Sequence, residues 1–166
     1  MESVRLRPCE QKDIPSIAEI YAYHVLHGTA SFEIDPPDAA EMARRRLDMV
    51  KRGLPYLVAE DGDRIVGYAY AGLYRPRPAY RFTLEDSVYV HRDHIGRGVG
   101  VSLLERLIPA CREWGGRQLI AVIGDSDNIA SIRLHEKLGF ERVGVLRSVG
   151  FKFDRWIDSV LMQLSL

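Results

Sequence analysis

The run Gly96-Arg97-Gly98-Val99-Gly100 is the segment of this chain most able to do chemistry. Ser87-Val88-Tyr89-Val90 leads into it as a strand. Leu103, Leu104, Leu107, Ile108 and Cys111 follow it at helical spacing. A glycine turn that opens a helix is an anion site in outline. The first helical N–H groups have no partner in the helix and carry partial positive charge. Glycines also let an anion approach the bare backbone. Pyrophosphate fits, and Arg97 would add charge. No Gly-x-x-x-x-Gly-Lys-Ser/Thr occurs, so the run is not a P-loop. Its spacing, Gly-x-Gly-x-Gly in mid-chain, also departs from the dinucleotide-binding fingerprint, and the next strand ends in Val122-Ile123-Gly124. Taken alone, a tight turn without a ligand remains the alternative.

Three further groupings bear reactive side chains. Asn128, Ser131 and His135 fall at helical offsets of three and seven, hence on one face. They read either as ligand contacts or as an N-cap, a packed serine and a buried histidine. Arg75, Arg77 and Arg81 cluster with Tyr74 and Tyr80, stiffened by Pro76 and Pro78. A bidentate arginine suits a carboxylate or phosphinate, and a solvated basic loop is the alternative. His24-x-x-His27 and His91-x-x-His94 have no cysteine partners nearby. Zinc sites need three or four converging ligands, so no metal is expected.

The elements that must position these groups follow from periodicity. Val4–Pro8 alternates as a short strand, and Asp13 is placed to cap a helix with Pro15 in its first turn. Asp38 to Glu41 resembles a capping box for a helix carrying Met42, Leu47, Met49 and Val50. Leu54–Glu60 and Arg64–Leu73 flank an Asp61-Gly62 hairpin turn. A third strand covers about Phe82 to Val90. After the glycine turn and its helix come a strand over Gln118–Ile123, a helix over Asn128–Leu138 stopped at Gly139, and two further strands. The last, Trp156–Leu164, alternates. The order is β-α-α-β-β-β-α-β-α-β-β, an α/β (α+β) mixed sheet with helices on both faces.

The 166 residues read as one domain, residues 1–166. The chain is 46% hydrophobic and 28% charged, which is ordinary globular composition. Lys plus Arg is 23 and Asp plus Glu is 23; with no basic excess, no nucleic-acid partner is expected. Cys9 and Cys111 are too few and too far apart for a disulfide framework, so both are expected as free thiols. No apolar run approaches 18 residues and no signal peptide is visible at Met1–Arg5. The expectation is a cytoplasmic protein without a membrane partner.

Read together, the motifs carry a resemblance. Gly96–Gly100 with its helix resembles the acetyl-CoA pyrophosphate loop of the GNAT superfamily. Asn128-Ile129-Ala130-Ser131-Ile132-Arg133-Leu134 followed by Leu138-Gly139-Phe140 is similar to that superfamily's second cofactor helix. Ala79 to Val90, Val149 to Asp158, Ile20-Tyr21 and Thr29 to Glu33 resemble the phosphinothricin N-acetyltransferase (methionine sulfoximine/sulfone acetyltransferase) family. One departure stands in the loop, where Ile95 occupies a position that is usually Gln or Arg.

The resemblance implies a GNAT-type fold whose central sheet splays between the strand ending at Val90 and the one starting near Gln118. Acetyl-CoA would lie in that gap as co-substrate, held at Val88, Tyr89, Val90, Gly96, Arg97, Gly98, Val99, Gly100, Val101, Asn128 and Ser131. Arg75, Arg77, Tyr80 and Phe32 match substrate-side positions of a small anionic amino acid analogue. Acetyl transfer needs a neutral amine, and an α-ammonium titrates near 8, so a general base worth about 10²–10⁴-fold is expected. Glu85 is that candidate by the resemblance; Asp86 lies on the opposite face of the strand and is the weaker choice. His135 is the candidate proton donor to the leaving thiolate. The resemblance further implies a homodimer, for which the alternation from Trp156 to Met162 offers a surface.

Overall fold

The computed structural model describes residues 4–166; Met1–Ser3, read above for a leader, lie outside the described residues. The elements are β1 (Arg5–Pro8), α1 (Ile14–His27), α2 (Ala39–Lys51), β2 (Tyr56–Asp61), β3 (Arg64–Leu73), β4 (Thr83–Val90), α3 (Val99–Trp114), β5 (Gln118–Gly124), α4 (Ile129–Lys137), β6 (Glu141–Lys152) and β7 (Arg155–Ser165). Apart from three single-turn 3-10 helices, this is the order read from the sequence. The strands form one sheet in the order β1-β2-β3-β4-β5-β7-β6. All neighbours are antiparallel except β4 and β5.

The parallel pairing of β4 with β5 covers only Thr83–Glu85 against Gln118–Ile120. Beyond Glu85 the two strands part, while β4 stays paired with β3 as far as Val90. The sheet is therefore splayed at its centre. The Thr83 carbonyl accepts from Tyr74 N–H, and His91 N–H donates to the Val66 carbonyl. Odd-numbered residues of β4 thus spend their backbone groups on β3, and Asp86, Val88 and Val90 turn theirs to the open side.

Each face of the sheet carries its own core. On one, α3 and α4 pack Leu103, Leu104, Leu107, Cys111 and Ile132 against Leu84, Leu119, Val160 and Met162. On the other, α1 and α2 bring Ile17, Ile20, Tyr21, Val25 and Met42 over Val58 and Tyr68. Tyr56 and Tyr70 stack there at 4.8 Å, and Tyr21 meets Tyr89 edge-on at 5.1 Å.

Several local expectations are corrected. Asp13 does not cap α1: its carboxylate is taken by Arg7 at 2.7 Å and by Glu10 N–H at 2.8 Å. Asp38 does cap α2 by accepting from Glu41 N–H, but the Glu41 carboxylate turns to Arg44 and Arg45 instead of closing the box. Leu47 and Val50 are exposed, so α2 buries a narrower stripe than its apolar content suggests. β2 starts at Tyr56 because Gly53 (φ +71°) and Leu54 close the turn after α2. Val160 and Met162 are core residues, so the alternation in β7 builds the interior. The exposed apolar surface lies instead on β6 and its turn: Val143, Leu146, Val149, Phe151 and Phe153, with Trp156 beside them. That hairpin turns at Phe153-Asp154, both at positive φ, as a type I′ turn requires.

Candidate active site

The splay opens a cleft with two chambers. The outer one, about 350 Å³, is walled by Val88, Tyr89 and Val90 of β4, by Gly96, Gly98, Val99, Gly100 and Val101 of the turn, and by Asn128, Ala130, Ser131 and Leu134. The inner one, about 270 Å³, is walled by Phe32, Glu85, Asp86, Ser87, Asn128, Ser131, His135 and Ser159, among others. Val88, Tyr89, Asn128 and Ser131 belong to both, so the chambers are continuous.

The outer chamber is made largely of backbone. Gly96 and Gly98 sit at φ +78° and +83°, and a Cβ on either would meet nothing within 4 Å, so the turn presents open peptide. Gly98 is the N-cap of α3 and Ser102 N–H bonds its carbonyl; the N–H groups of the first turn face outward without partners. Gly100 lets α3 approach α4, since a Cβ there would lie 3.3 Å from Leu134. One sequence candidate stands apart: Arg97 is exposed and outside the chamber wall. The departure at Ile95 falls in the wall, and that residue is 56% exposed. The Val90 carbonyl already accepts from His24 Nε2 at 2.8 Å, a contact that sequence reading missed. Burial pushes the His24 pKa down, with the Val90 bond opposing it. The backbone of Val88 remains as the open rung of β4.

The inner chamber is made of side chains from five separated segments. Glu85 enters from β4, half-buried. Burial raises its pKa first and the neighbouring Asp86 charge adds to this, while Arg75 opposes. Its conjugate acid is thus held above the ordinary glutamate range, nearer the pH at which a base must work. Asn128 Oδ1 accepts from Ser131 N–H at 3.3 Å and its Nδ2 donates to the Gly124 carbonyl at 3.4 Å, so it does cap α4 while also lining the cleft. His135 is buried, its Nδ1 2.7 Å from the Ser131 carbonyl and its Nε2 2.9 Å from Asp86 Oδ2. Asp86 is therefore no bystander. The alternation does put it on the face opposite Glu85, but that face is the one α4 covers.

Phe32 forms one wall, on a loop seated by glycines. A Cβ at Gly124 would lie 2.0 Å from the Thr29 carbonyl, and one at Gly150 would lie 2.6 Å from the Phe32 ring. Thr29 Oγ1 donates to Asp125 at 3.2 Å, Ser31 Oγ meets Tyr21 Oη at 2.8 Å, and Lys152 Nζ donates to the Ser31 carbonyl at 2.8 Å. Glu33 adds an ion pair to Arg45. Single-sequence reading found Phe32 but not the seats beneath it, because a glycine's close contact has no local signature.

Arg75, Arg77 and Tyr80 lie on the exposed loop before β4 and none lines either chamber. The Arg75 guanidinium rests over the Tyr74 ring at 4.9 Å, and Tyr80 packs edge-on against Tyr74 at 5.5 Å. Arg75 is close enough to Glu85 to lower its pKa. Among the described residues no cluster of His, Cys, Asp or Glu could hold a metal ion.

The profile of the acetyltransferase (GNAT) domain matches residues 6–161. The chain belongs to the GNAT acetyltransferases. It is by that membership an acetyl-CoA-dependent N-acetyltransferase. The chain is 58% identical over 161 residues to a phosphinothricin N-acetyltransferase of Alcaligenes faecalis, covering 97% of this chain and 82% of that one. It is 41% identical over 165 residues to an L-methionine sulfoximine/L-methionine sulfone acetyltransferase of Pseudomonas aeruginosa, covering 99% and 95%. Among solved structures it is similar to a GNAT phosphinothricin acetyltransferase from Sinorhizobium meliloti in complex with acetyl-CoA. That match has a TM-score of 0.96 and 44% identity, over 99% of this chain and 89% of the other. The glycine turn fits such a donor, since both positive-φ glycines leave their backbone uncovered beside a helix N-terminus.

Proposed function

We propose that this acetyltransferase acetylates the α-amino group of a small anionic amino acid analogue of the phosphinothricin or methionine sulfoximine/sulfone kind. The observation that carries the reading is the inner chamber. It holds a half-buried carboxylate of raised pKa and continues inward from the chamber at the glycine turn. At about 270 Å³ it has room for a small acceptor. The relatives with the printed activities on phosphinothricin and methionine sulfoximine match nearly the whole chain, which supports that acceptor class.

In this reading the pantetheine arm lies along β4, its amide groups facing the open backbone of Val88. Acetyl-CoA supplies an activated acetyl group at the junction of the chambers. Glu85 takes a proton from the acceptor's ammonium, directly or through water, so that the neutral amine attacks. Since Glu85 must be ionised to do so and its pKa is raised, the acid limb of kcat/KM lies above the ordinary glutamate value near 4.3. Backbone N–H on the open side of β4 stabilises the oxygen as charge develops. Arg75 supplies positive charge at the mouth for the acceptor's anionic group, with Arg77 and Tyr80 on the same loop. The exposed apolar face of β6 with Trp156 fits a second copy of the chain, since a soluble monomer seldom shows six such side chains together. With two unpaired buried cysteines, the cytoplasm is the compartment that suits it.

The test is free-thiol release from acetyl-CoA with phosphinothricin, methionine sulfoximine, methionine sulfone, ordinary amino acids, polyamines and a peptide. Turnover confined to the first three is expected. Turnover with polyamines or the peptide alone would overturn the acceptor class.

A further inference from the structure

The hydrogen bonds of His135 fix where its protons are. A backbone carbonyl only accepts, so the 2.7 Å contact with Ser131 puts a proton on Nδ1. An ionised carboxylate also only accepts, so the 2.9 Å contact with Asp86 puts a second proton on Nε2. The other oxygen of Asp86 is buried with no hydrogen-bond partner, so a proton there would be an unsatisfied donor. The shared proton therefore lies on the line between Nε2 and Oδ2. With that proton on Nε2 the ring is an imidazolium against a carboxylate, and the Asp86 hydrogen bond and charge favour this form of the ring. Both side chains are almost wholly buried, and the Phe140 ring meets the imidazole edge-on at 4.9 Å.

We propose that Asp86 is a positioning residue of this active site, holding His135 as an immobile imidazolium in the wall of the inner chamber. The proposal rests on the acetyl-transfer reading above. Both N–H groups of the ring are committed, to Ser131 and to Asp86, so His135 presents a fixed charge and gives up no proton. The balance of the reaction needs none from it. The C–N bond forms and the thioester C–S bond breaks. Of the two protons the ammonium loses, one leaves through Glu85 and the other goes to the departing sulfur. The negative charge that develops on the thioester oxygen and then on sulfur forms beside this buried pair, which is preorganised before the reaction begins. Asp86 is also the chain neighbour of Glu85, and its charge raises the affinity of Glu85 for a proton from the opposite face of the strand.

The pKa directions agree with the geometry. Burial pushes the His135 ring down, while the hydrogen bond and charge of Asp86, with the Ser131 carbonyl, reverse this, and the net shift is upward. The titratable groups around the pair are Glu85 on β4 and Cys111 on α3. Burial, with Asp86 adding to it, pushes the Cys111 thiol up to about 12, so it stays neutral.

The decisive variant is Asp86→Asn, whose amide oxygen can still accept from Nε2–H while the charge is gone. The ring then falls to its ordinary pKa of about 6.5 or below, leaving roughly one ring in a hundred charged at pH 8.5. The ratio of wild-type to variant kcat is expected to be about 100 at pH 8.5 and to fall towards its smallest value at pH 6, with the Kd for acetyl-CoA unchanged. The weakened Glu85 contributes a constant factor above its own titration. In parallel, the ring nitrogen shifts of His135 by NMR should report a doubly protonated imidazole at pH 8 in the wild type and a neutral one in the variant. An equal kcat loss at every pH would mark a merely structural pair and overturn the proposal. So would a wild-type ring that is neutral at pH 8, a measurement that stands even if Asp86→Asn fails to fold. If the wild type acetylates no amine, the functional reading fails. The ring spectra then decide separately whether Asp86 holds the charge: a neutral wild-type ring rejects it and a charged one upholds it.

Discussion

The two chambers of the cleft are built from different materials. The outer one is backbone: glycines at positive φ, the first turn of α3, and the open edge of β4. Most of it comes from one stretch of chain, Val88 to Val101, with α4 as the facing wall. The inner one is side chains from α1's trailing loop, β4, β5, α4 and β7, brought together only by the fold. Backbone recognition tolerates sequence change, because every residue carries the same N–H. A chamber of side chains does not, and its contents decide which acceptor is used and how protons move.

The sharpest test of that contrast is Glu85→Gln. If the inner chamber performs the proton chemistry, kcat should fall by about 10²–10⁴-fold while the Kd for acetyl-CoA, measured by calorimetry, stays put. A variant with full turnover would remove Glu85 from the mechanism. A second test reaches the chamber through its seat. Gly124→Ala places a methyl 2.0 Å from the Thr29 carbonyl, so the loop bearing Phe32 must shift. Overpacking of this kind costs about 1–3 kcal/mol, and at roughly 2–4 °C per kcal/mol the melting point should drop measurably. The KM for the amine should rise while acetyl-CoA binding holds. The mirror-image change is Gly98→Ala in the outer chamber. It meets no atom, but an alanine at φ +83° is strained by about 1–2 kcal/mol. Acetyl-CoA should bind up to about tenfold more weakly, with selectivity among amines untouched. A change in amine selectivity from Gly98→Ala would break the division between the chambers.

Much of the frame was legible because its signals are local. Gly96, Gly98 and Gly139 adopt the positive φ that their places in the pattern imply, at +78°, +83° and +89°. The β2–β3 hairpin turns one residue later than the Asp61-Gly62 reading: Asp61 still pairs with Arg64, and the loop is Gly62 and Asp63, with Gly62 at φ +59°. Asp13 was misread because a cap and a buried ion-pair partner look alike in sequence: Arg7, six residues before it and on another element, decides between them. Likewise, Trp156, Val160 and Met162 alternate correctly as a strand, yet which face meets solvent depends on α3 and α4.

For the site the boundary falls at Glu85 and Asp86. Sequence by itself determined the order of elements, the glycine turn that offers backbone to an anion, and a carboxylate on the strand leading into it. These depend on periodicity and on φ, which neighbours in the chain control. Only the tertiary structure decided that β4 and β5 part after Glu85, that Phe32 rests on Gly124 and Gly150, and that Asp86 meets His135 forty-nine positions away. Such contacts join residues far apart in the chain. Alternation can tell which side of a strand a residue faces, but not what the fold has placed there.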